Sequence, residues 1–138
     1  MSKDIDMITL DTHILIWYVE GINLMDDSVK LIDEVRAKGN LYISAMTVWE
    51  IALLCNKGRI TLSLPLSSWL DKIISMDGLS VIDLSLDILI ASCSLFNYQY
   101  RDPADRMIIA SAQSIDSYLM THDNKILEYA KGGYLKTL

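Results

Sequence analysis

Four short apolar runs, at residues 7–10, 41–43, 79–82 and 118–121, alternate with longer stretches whose apolar side chains recur at helical spacing. That alternation constrains the fold more than any other feature. Strands joined through helices lie parallel, because a parallel neighbour can be reached only by a crossover. The expected class is therefore α/β, with a central, mostly parallel sheet covered by helices on both faces.

The helices are legible from their stop and start signals. Residues 13–19 follow the first strand directly, leaving Asp11 at the junction. Residues 27–38 carry Val29, Leu31, Ile32 and Val35 on one side and stop at Gly39-Asn40. Ser44 can cap a helix to about residue 56, with Val48, Ile51, Ala52 and Cys55 along one face and Glu50 in its second turn. Lys57-Gly58-Arg59 breaks it. Residues 65–76 form a further helix ended by Asp77-Gly78. Residues 85–96 offer Leu86, Leu89, Ile90, Cys93 and Leu95 to the core, and Asp102-Pro103 opens a helix through about residue 115. Residues 124–130 are a last short helix, and the tail from residue 132 is expected to add an edge strand. Pro65 and Pro103 both stand where a helix can begin. With no repeat, low-complexity tract or linker, residues 1–138 read as a single domain.

Composition limits the function classes. Apolar residues make up 51% and charged residues 22%, as in ordinary globular chains. No run approaches the roughly 20 apolar residues that span a bilayer, and the opening residues lack a basic stretch followed by an apolar one, so a cytoplasmic protein without a membrane segment is expected. Cys55 and Cys93 show no C-x-x-C or zinc spacing and are expected to be buried thiols. His13 and His122 are the two histidines and carry no zinc pattern. A net charge of −6 argues against holding nucleic acid by general attraction, an objection that weakens if acids converge on divalent cations.

In parallel sheets ligands gather beyond the carboxyl ends of strands, at a switch in strand order. Asp11 and Asp123 each follow a strand, Glu50 lies in the helix after another, and Asp105 is in the first turn of a helix. Clustered carboxylates repel one another unless cations intervene, and hard ions such as Mg²⁺ or Mn²⁺ take oxygen ligands, which makes phosphodiester hydrolysis the natural chemistry. Each acid also has a plain structural reading. Asp11 and Asp123 can cap the helices that follow them, and Asp102-Pro103-Ala104-Asp105 is good helix-start chemistry in itself. Asp102 is read equally as a cap or an outer contact. Glu50 stands in the apolar stretch 45–54, where a carboxylate needs a partner. Asp26, Asp27, Asp33 and Glu34 are a solvated face, while Trp17, Trp49 and Trp69 are core or interface aromatics. Arg101 and Arg106 flank the acid pair, with Arg106 read either as a phosphate contact or as a brace for a carboxylate.

The fragments Leu10-Asp11-Thr12-His13 with Trp17, Ser44-Ala45 through Trp49-Glu50-Ile51-Ala52, Lys57-Gly58-Arg59-Ile60, Asp102-Pro103-Ala104-Asp105-Arg106 with Ile109-Ala110-Ser111-Ala112, and Leu119-Met120-Thr121-His122-Asp123 occur in this order along nearly the whole chain. Together they resemble the PIN-domain family, and within it the VapC-type toxins of bacterial toxin-antitoxin pairs. The resemblance implies a three-layer α/β/α fold and a Mg²⁺- or Mn²⁺-dependent endoribonuclease acting on RNA. It implies catalytic and metal-binding roles for Asp11, Glu50, Asp105 and Asp123, with Thr12, Asp102, Arg106 and Thr121 as supporting candidates. It also implies a homodimer and a cognate antitoxin that obstructs the active site. Tyr100 stands where related sequences often carry His, a departure that bears on substrate details.

Two other readings compete: an RNA-processing nuclease of the same family that is no toxin, and a non-catalytic interaction module. The presence of all four acids argues against the module. A D-x-D phosphatase is set aside, because Asp11-Thr12-His13 lacks the second Asp.

Overall fold

The computed structural model describes residues 5–138. Among them, β1 (Ile8–Leu10), β2 (Leu41–Ser44), β3 (Leu79–Ile82) and β4 (Tyr118–Met120) form one parallel sheet in the order β3-β2-β1-β4. Helices α1 (Thr12–Glu20) and α2 (Asp26–Ala37) join β1 to β2, and α3 (Ala45–Asn56) and α4 (Leu66–Ile74) join β2 to β3. Helices α5 (Leu86–Cys93) and α6 (Pro103–Ser114) join β3 to β4, and α7 (Asn124–Lys131) follows.

The chain steps from β1 to β2 to β3 in one direction and then returns past β1 to β4. Right-handed crossovers therefore put α1–α4 on one face and α5–α6 on the other. Side chains alternate accordingly. Ile8, Leu10, Leu41, Ile43 and Leu79 pack with Ile14, Leu15, Ile32, Ile51, Trp69 and Ile73 in the larger core. Leu119 packs with Ile108, Ile109 and Ile126 on the opposite face, and Ile82 packs there with Ile88 and Ala110. This is the three-layer α/β/α architecture.

Local chemistry sets the ends of the elements. Asp11, Ser44, Ser85, Asp102 and Asp123 each cap the helix they precede through a side-chain oxygen, and Pro103 is the first residue of α6. Pro65 stands one position earlier, at the cap of α4, where its missing N–H costs nothing. The turn into β3 requires Gly78. Its φ of +84° is left-handed, and a Cβ there would fall 2.0 Å from the Arg36 carbonyl oxygen.

Three expectations are corrected. Helix α5 ends at Cys93 and turns only Ile88 and Ser92 fully inward, leaving Leu86 72% and Ile90 58% exposed, with Leu89 also open to solvent. Its layer is already filled by α6, so apolar residues in α5 have no second surface to meet. Neither thiol is buried: Cys55 is half-buried and Cys93 exposed on that same outer face of α5. The tail makes a single parallel bridge, Thr137 to Leu119, with Leu119 N–H donating to the Lys136 carbonyl at 2.9 Å, in place of a full edge strand. Among the tryptophans, Trp69 is fully buried and Trp17 packs partly buried against the larger core, while Trp49 is 57% exposed. Among the described residues no helix is long and apolar enough to cross a membrane.

Candidate active site

The reversal of strand order falls between β1 and β4, and the polar residues concentrate beyond the carboxyl ends of these two strands. Asp11 leaves β1 with its backbone N–H bonded to the Met120 carbonyl at 2.9 Å, so the last residue of β4 fixes where the first acid emerges. Thr121, the next residue of the neighbouring strand, donates its hydroxyl to Asp11 Oδ2 at 2.6 Å. The other carboxylate oxygen accepts the Thr12 backbone N–H at 2.8 Å as the cap of α1. Thr121 Oγ1 also accepts the Asp123 N–H at 3.0 Å, which ties the two acids to one hydroxyl.

Thr12 links the second strand-helix junction to the first. Its hydroxyl donates to Glu50 Oε1 at 2.6 Å and lies 3.2 Å from the hydroxyl of Thr47. Thr47 and Glu50 are three residues apart on α3 and share a face. Below them Ser44 and Ser111, both fully buried, meet at 2.9 Å and pin α6 to the end of β2. Asp105, in the first turn of α6, is 9% exposed and faces Lys125 of α7 at 3.7 Å. Asp102 and Asp123 cap α6 and α7 by accepting from Ala104 N–H at 3.0 Å and Lys125 N–H at 2.9 Å.

Electrostatics shows that these acids act on one another. Burial raises the pKa of Asp11, and the charge of Asp123 adds to it, against the bonds from Thr121 and Thr12. Burial likewise raises Glu50, helped by Asp11 and Asp102 and opposed by the Thr12 hydroxyl. Asp105 is pushed up to about 7 by burial first, then by Asp102, Asp11 and Asp123. Lys125 opposes that rise without cancelling it, because its contact is long and its side chain is 44% exposed, where solvent screens the pair. Four connections of the chain thus deliver like charges to one edge of the sheet.

The acids are neighbours without yet being a chelate. Among the described residues no three His, Cys, Asp or Glu side chains are gathered tightly enough to hold a metal ion. Their oxygens are engaged with Thr121, Thr12 and Lys125 instead, the arrangement expected of mutually repelling carboxylates.

The supporting candidates divide. Thr12 and Thr121 each touch an acid directly, and Asp102 is a helix cap whose charge reaches both Glu50 and Asp105. Arg106 neither braces a carboxylate nor stands free for phosphate. Its guanidinium donates to the carbonyls of Tyr100 at 2.6 Å, Tyr98 at 2.8 Å and Ser92 at 3.1 Å, clasping the segment between α5 and α6. Two contributors are absent from the sequence reading. Thr47 was available from its spacing to Glu50. Lys125 carries no such signal, because only the packing of α7 beside α6 brings it to Asp105.

The fold is that of PIN domains. Residues 8–132 match the PIN domain model, and the chain belongs to that family. Among curated relatives, ribonuclease VapC22 of Mycobacterium tuberculosis is 24% identical over 119 residues, which span 86% of this chain and 88% of that protein. Solved structures share the fold. A VapBC2 structure from Rickettsia felis, bound to a DNA fragment from its promoter, matches with a TM-score of 0.67 at 20% identity over 96% of this chain and 97% of that one. DNA-bound VapBC from Salmonella typhimurium gives 0.68 at 18% identity over 96% of both chains.

Proposed function

We propose that the chain is an endoribonuclease of the VapC type, cutting RNA phosphodiester bonds with Mg²⁺ or Mn²⁺ held by Asp11, Glu50, Asp105 and Asp123. The observation that carries the reading is the contact of Asp11 with Thr121 across the switch point of the sheet, together with the mutual charge effects among the acids. The residues fit a divalent cation on chemical grounds. They supply hard carboxylate oxygens in excess of positive charge, with Lys125 the one cation in contact with them among the described residues. A cation bound there supplies Lewis-acid stabilisation of the phosphate oxygens and a more acidic water.

The chain's own residues do the positioning. Thr121 holds Asp11 by one oxygen while the α1 backbone holds it by the other, so the carboxylate is fixed before any ligand arrives. Thr12 does the same for Glu50. Asp102 and Asp123 anchor the first turns of α6 and α7, which sets the direction in which Asp105 and Lys125 face the site.

A protein partner belongs to the same proposal. A further solved structure with this fold is a toxin-antitoxin complex from Klebsiella pneumoniae, and this chain exposes large apolar groups at Trp49 of α3 and at Leu86 and Ile90 of α5, which suit an antitoxin or a second copy of the chain.

Incubation of purified protein with single-stranded RNA and millimolar Mg²⁺ or Mn²⁺ tests the activity. Cleavage by wild type is expected to fall more than about 100-fold in Asp11→Asn, since loss of outer support alone costs 10–100-fold at metal sites. Wild-type rates in a folded Asp11→Asn protein rule the assignment out.

A further inference from the structure

A cleft of about 420 Å³, lined by Tyr98, Gln99, Tyr100, Lys125, Glu128, Tyr129 and Tyr134 among others, adjoins the acids through Lys125. Its volume is in the range of small-molecule sites. Four tyrosine rings form its walls. Tyr129 and Tyr134 stack on each other with centroids 5.1 Å apart, and Tyr98 meets Tyr100 edge to face at 5.4 Å. Tyr100 is 46% exposed, so its ring is partly open to solvent outside the area that the Lys125 ammonium covers.

Two independent features join this cleft to the acids. Lys125 stands with its ammonium 5.2 Å from the Tyr100 ring centroid and 3.7 Å from Asp105 Oδ2, so one side chain borders both. Tyr98 is 5% exposed, and its buried hydroxyl has no hydrogen-bond partner among the described residues. Burial raises the pKa of that hydroxyl, with the charges of Asp105, Asp123 and Asp102 adding to the rise and Arg106 opposing it. A buried hydroxyl left unsatisfied costs stability, a cost that a polar group entering from the cleft would relieve.

Net charge bears on what that ligand is. With a charge of −6 the protein gains little from general attraction to phosphates, so a charge-independent contact adds affinity for a strand beyond what cations at the acids supply. Stacking of a base on an aromatic ring is such a contact, and it is open only to unpaired bases. Building on the ribonuclease reading above, we propose that the cleft is a subsite for one unpaired nucleobase of the RNA strand, stacked on Tyr100 and met at its edge by the Tyr98 hydroxyl and the Gln99 amide. Lys125 then lies between that base and the acids, where the adjoining backbone phosphate passes.

Steady-state cleavage of a short single-stranded RNA by wild type, Tyr100→Ala and Tyr100→Phe tests this, with melting curves to confirm folding. Tyr100→Ala is expected to raise KM about tenfold with kcat nearly unchanged, while Tyr100→Phe, which keeps the ring, stays near wild type. Substrates with a single abasic residue locate the base: one position reproduces the KM rise in wild type and adds nothing in Tyr100→Ala. Tyr98→Phe is expected to keep or raise the melting temperature while reducing discrimination among bases at that position, an effect that a purely structural tyrosine would not show. Active enzyme with KM unmoved in Tyr100→Ala, or with no such abasic position, overturns the subsite and leaves the nuclease standing. Absence of any cleavage by wild type removes both. Loss of a protein partner by Tyr100→Ala with KM unmoved assigns the cleft to protein and also overturns the proposal.

Discussion

Helices α5 and α6 pack against each other on the same side of the sheet, yet they are treated in opposite ways. Helix α5, Leu86–Cys93, is nearly all apolar and buries only Ile88 and Ser92. Helix α6, Pro103–Ser114, contains Asp105, Arg106, Ser111 and Gln113 and nonetheless buries every residue from Ile108 to Ala112, with Ala104 and Asp105 as well. The difference is position. Helix α6 lies directly on β2 and β4, whereas α5 reaches the molecule mainly through α6. An apolar side chain gains from burial only where a second surface is present to exclude water, and the sheet offers that surface to α6 first. The same packing that buries Ile108 carries Asp105 under cover. A helix-start acid of ordinary appearance thereby becomes a carboxylate whose pKa is raised by burial and by the charges of Asp102 and Asp11.

Truncating a core residue of α6 is the harshest test of this contrast. Ile109 is fully buried, and Ile109→Ala is expected to cost about 2–5 kcal/mol in denaturant unfolding. A loss below about 1 kcal/mol would mean that α6 is not the helix holding this layer.

The buried acid of α6 gives a smaller effect with a definite sign. Asp105 titrates at about 7 when folded, against an ordinary value of 3.8. The folded state therefore binds a proton that the unfolded chain does not, throughout the interval between those values. Stability of the metal-free protein should fall as pH rises through that interval and be lowest above it. Asp11 and Glu50, also raised, act in the same direction. Melting temperatures in chelator are expected to rise by several degrees from pH 8 to pH 5, and Asp105→Asn should be more stable than wild type at pH 8 with a flatter profile. A steeper profile in Asp105→Asn would contradict the assignment.

The mildest change falls on α5. Ile90→Ser, at a position 58% exposed, is expected to shift unfolding at low protein concentration by no more than about 0.5 kcal/mol. If a penalty appears only as concentration rises, the outer face of α5 is covered by another copy of the chain, and the contrast with α6 holds for the monomer alone.

Much of this was legible in the residues. Strand-helix alternation fixed the class of sheet, and capping residues such as Ser44 and Asp102 marked helix starts to within a residue or two. Asp11 and Asp123 could be read as both caps and site residues, and they cap in the structure while acting on each other's neighbourhood. The failures share a cause. Helical spacing points Leu86, Ile90 and Cys93 inward, yet spacing tells which residues share a face and not what that face meets. Arg106 adjoins Asp105 in sequence, which suggests a phosphate contact or a brace for a carboxylate, but consecutive helical residues point in different directions, and its guanidinium turns to backbone carbonyls instead.

Sequence by itself determined the periodicities, the caps and the set of acids, because these depend on spacing within ten or so residues. Tertiary structure alone decided which helix is buried, that Thr121 bonds Asp11, that Lys125 meets Asp105, and that a tyrosine-lined cleft opens beside them. Those outcomes depend on which strands are neighbours across the sheet, and the order β3-β2-β1-β4 brings together residues more than a hundred positions apart. Desolvation and charge repulsion then act on that proximity, and no local pattern in the chain records it.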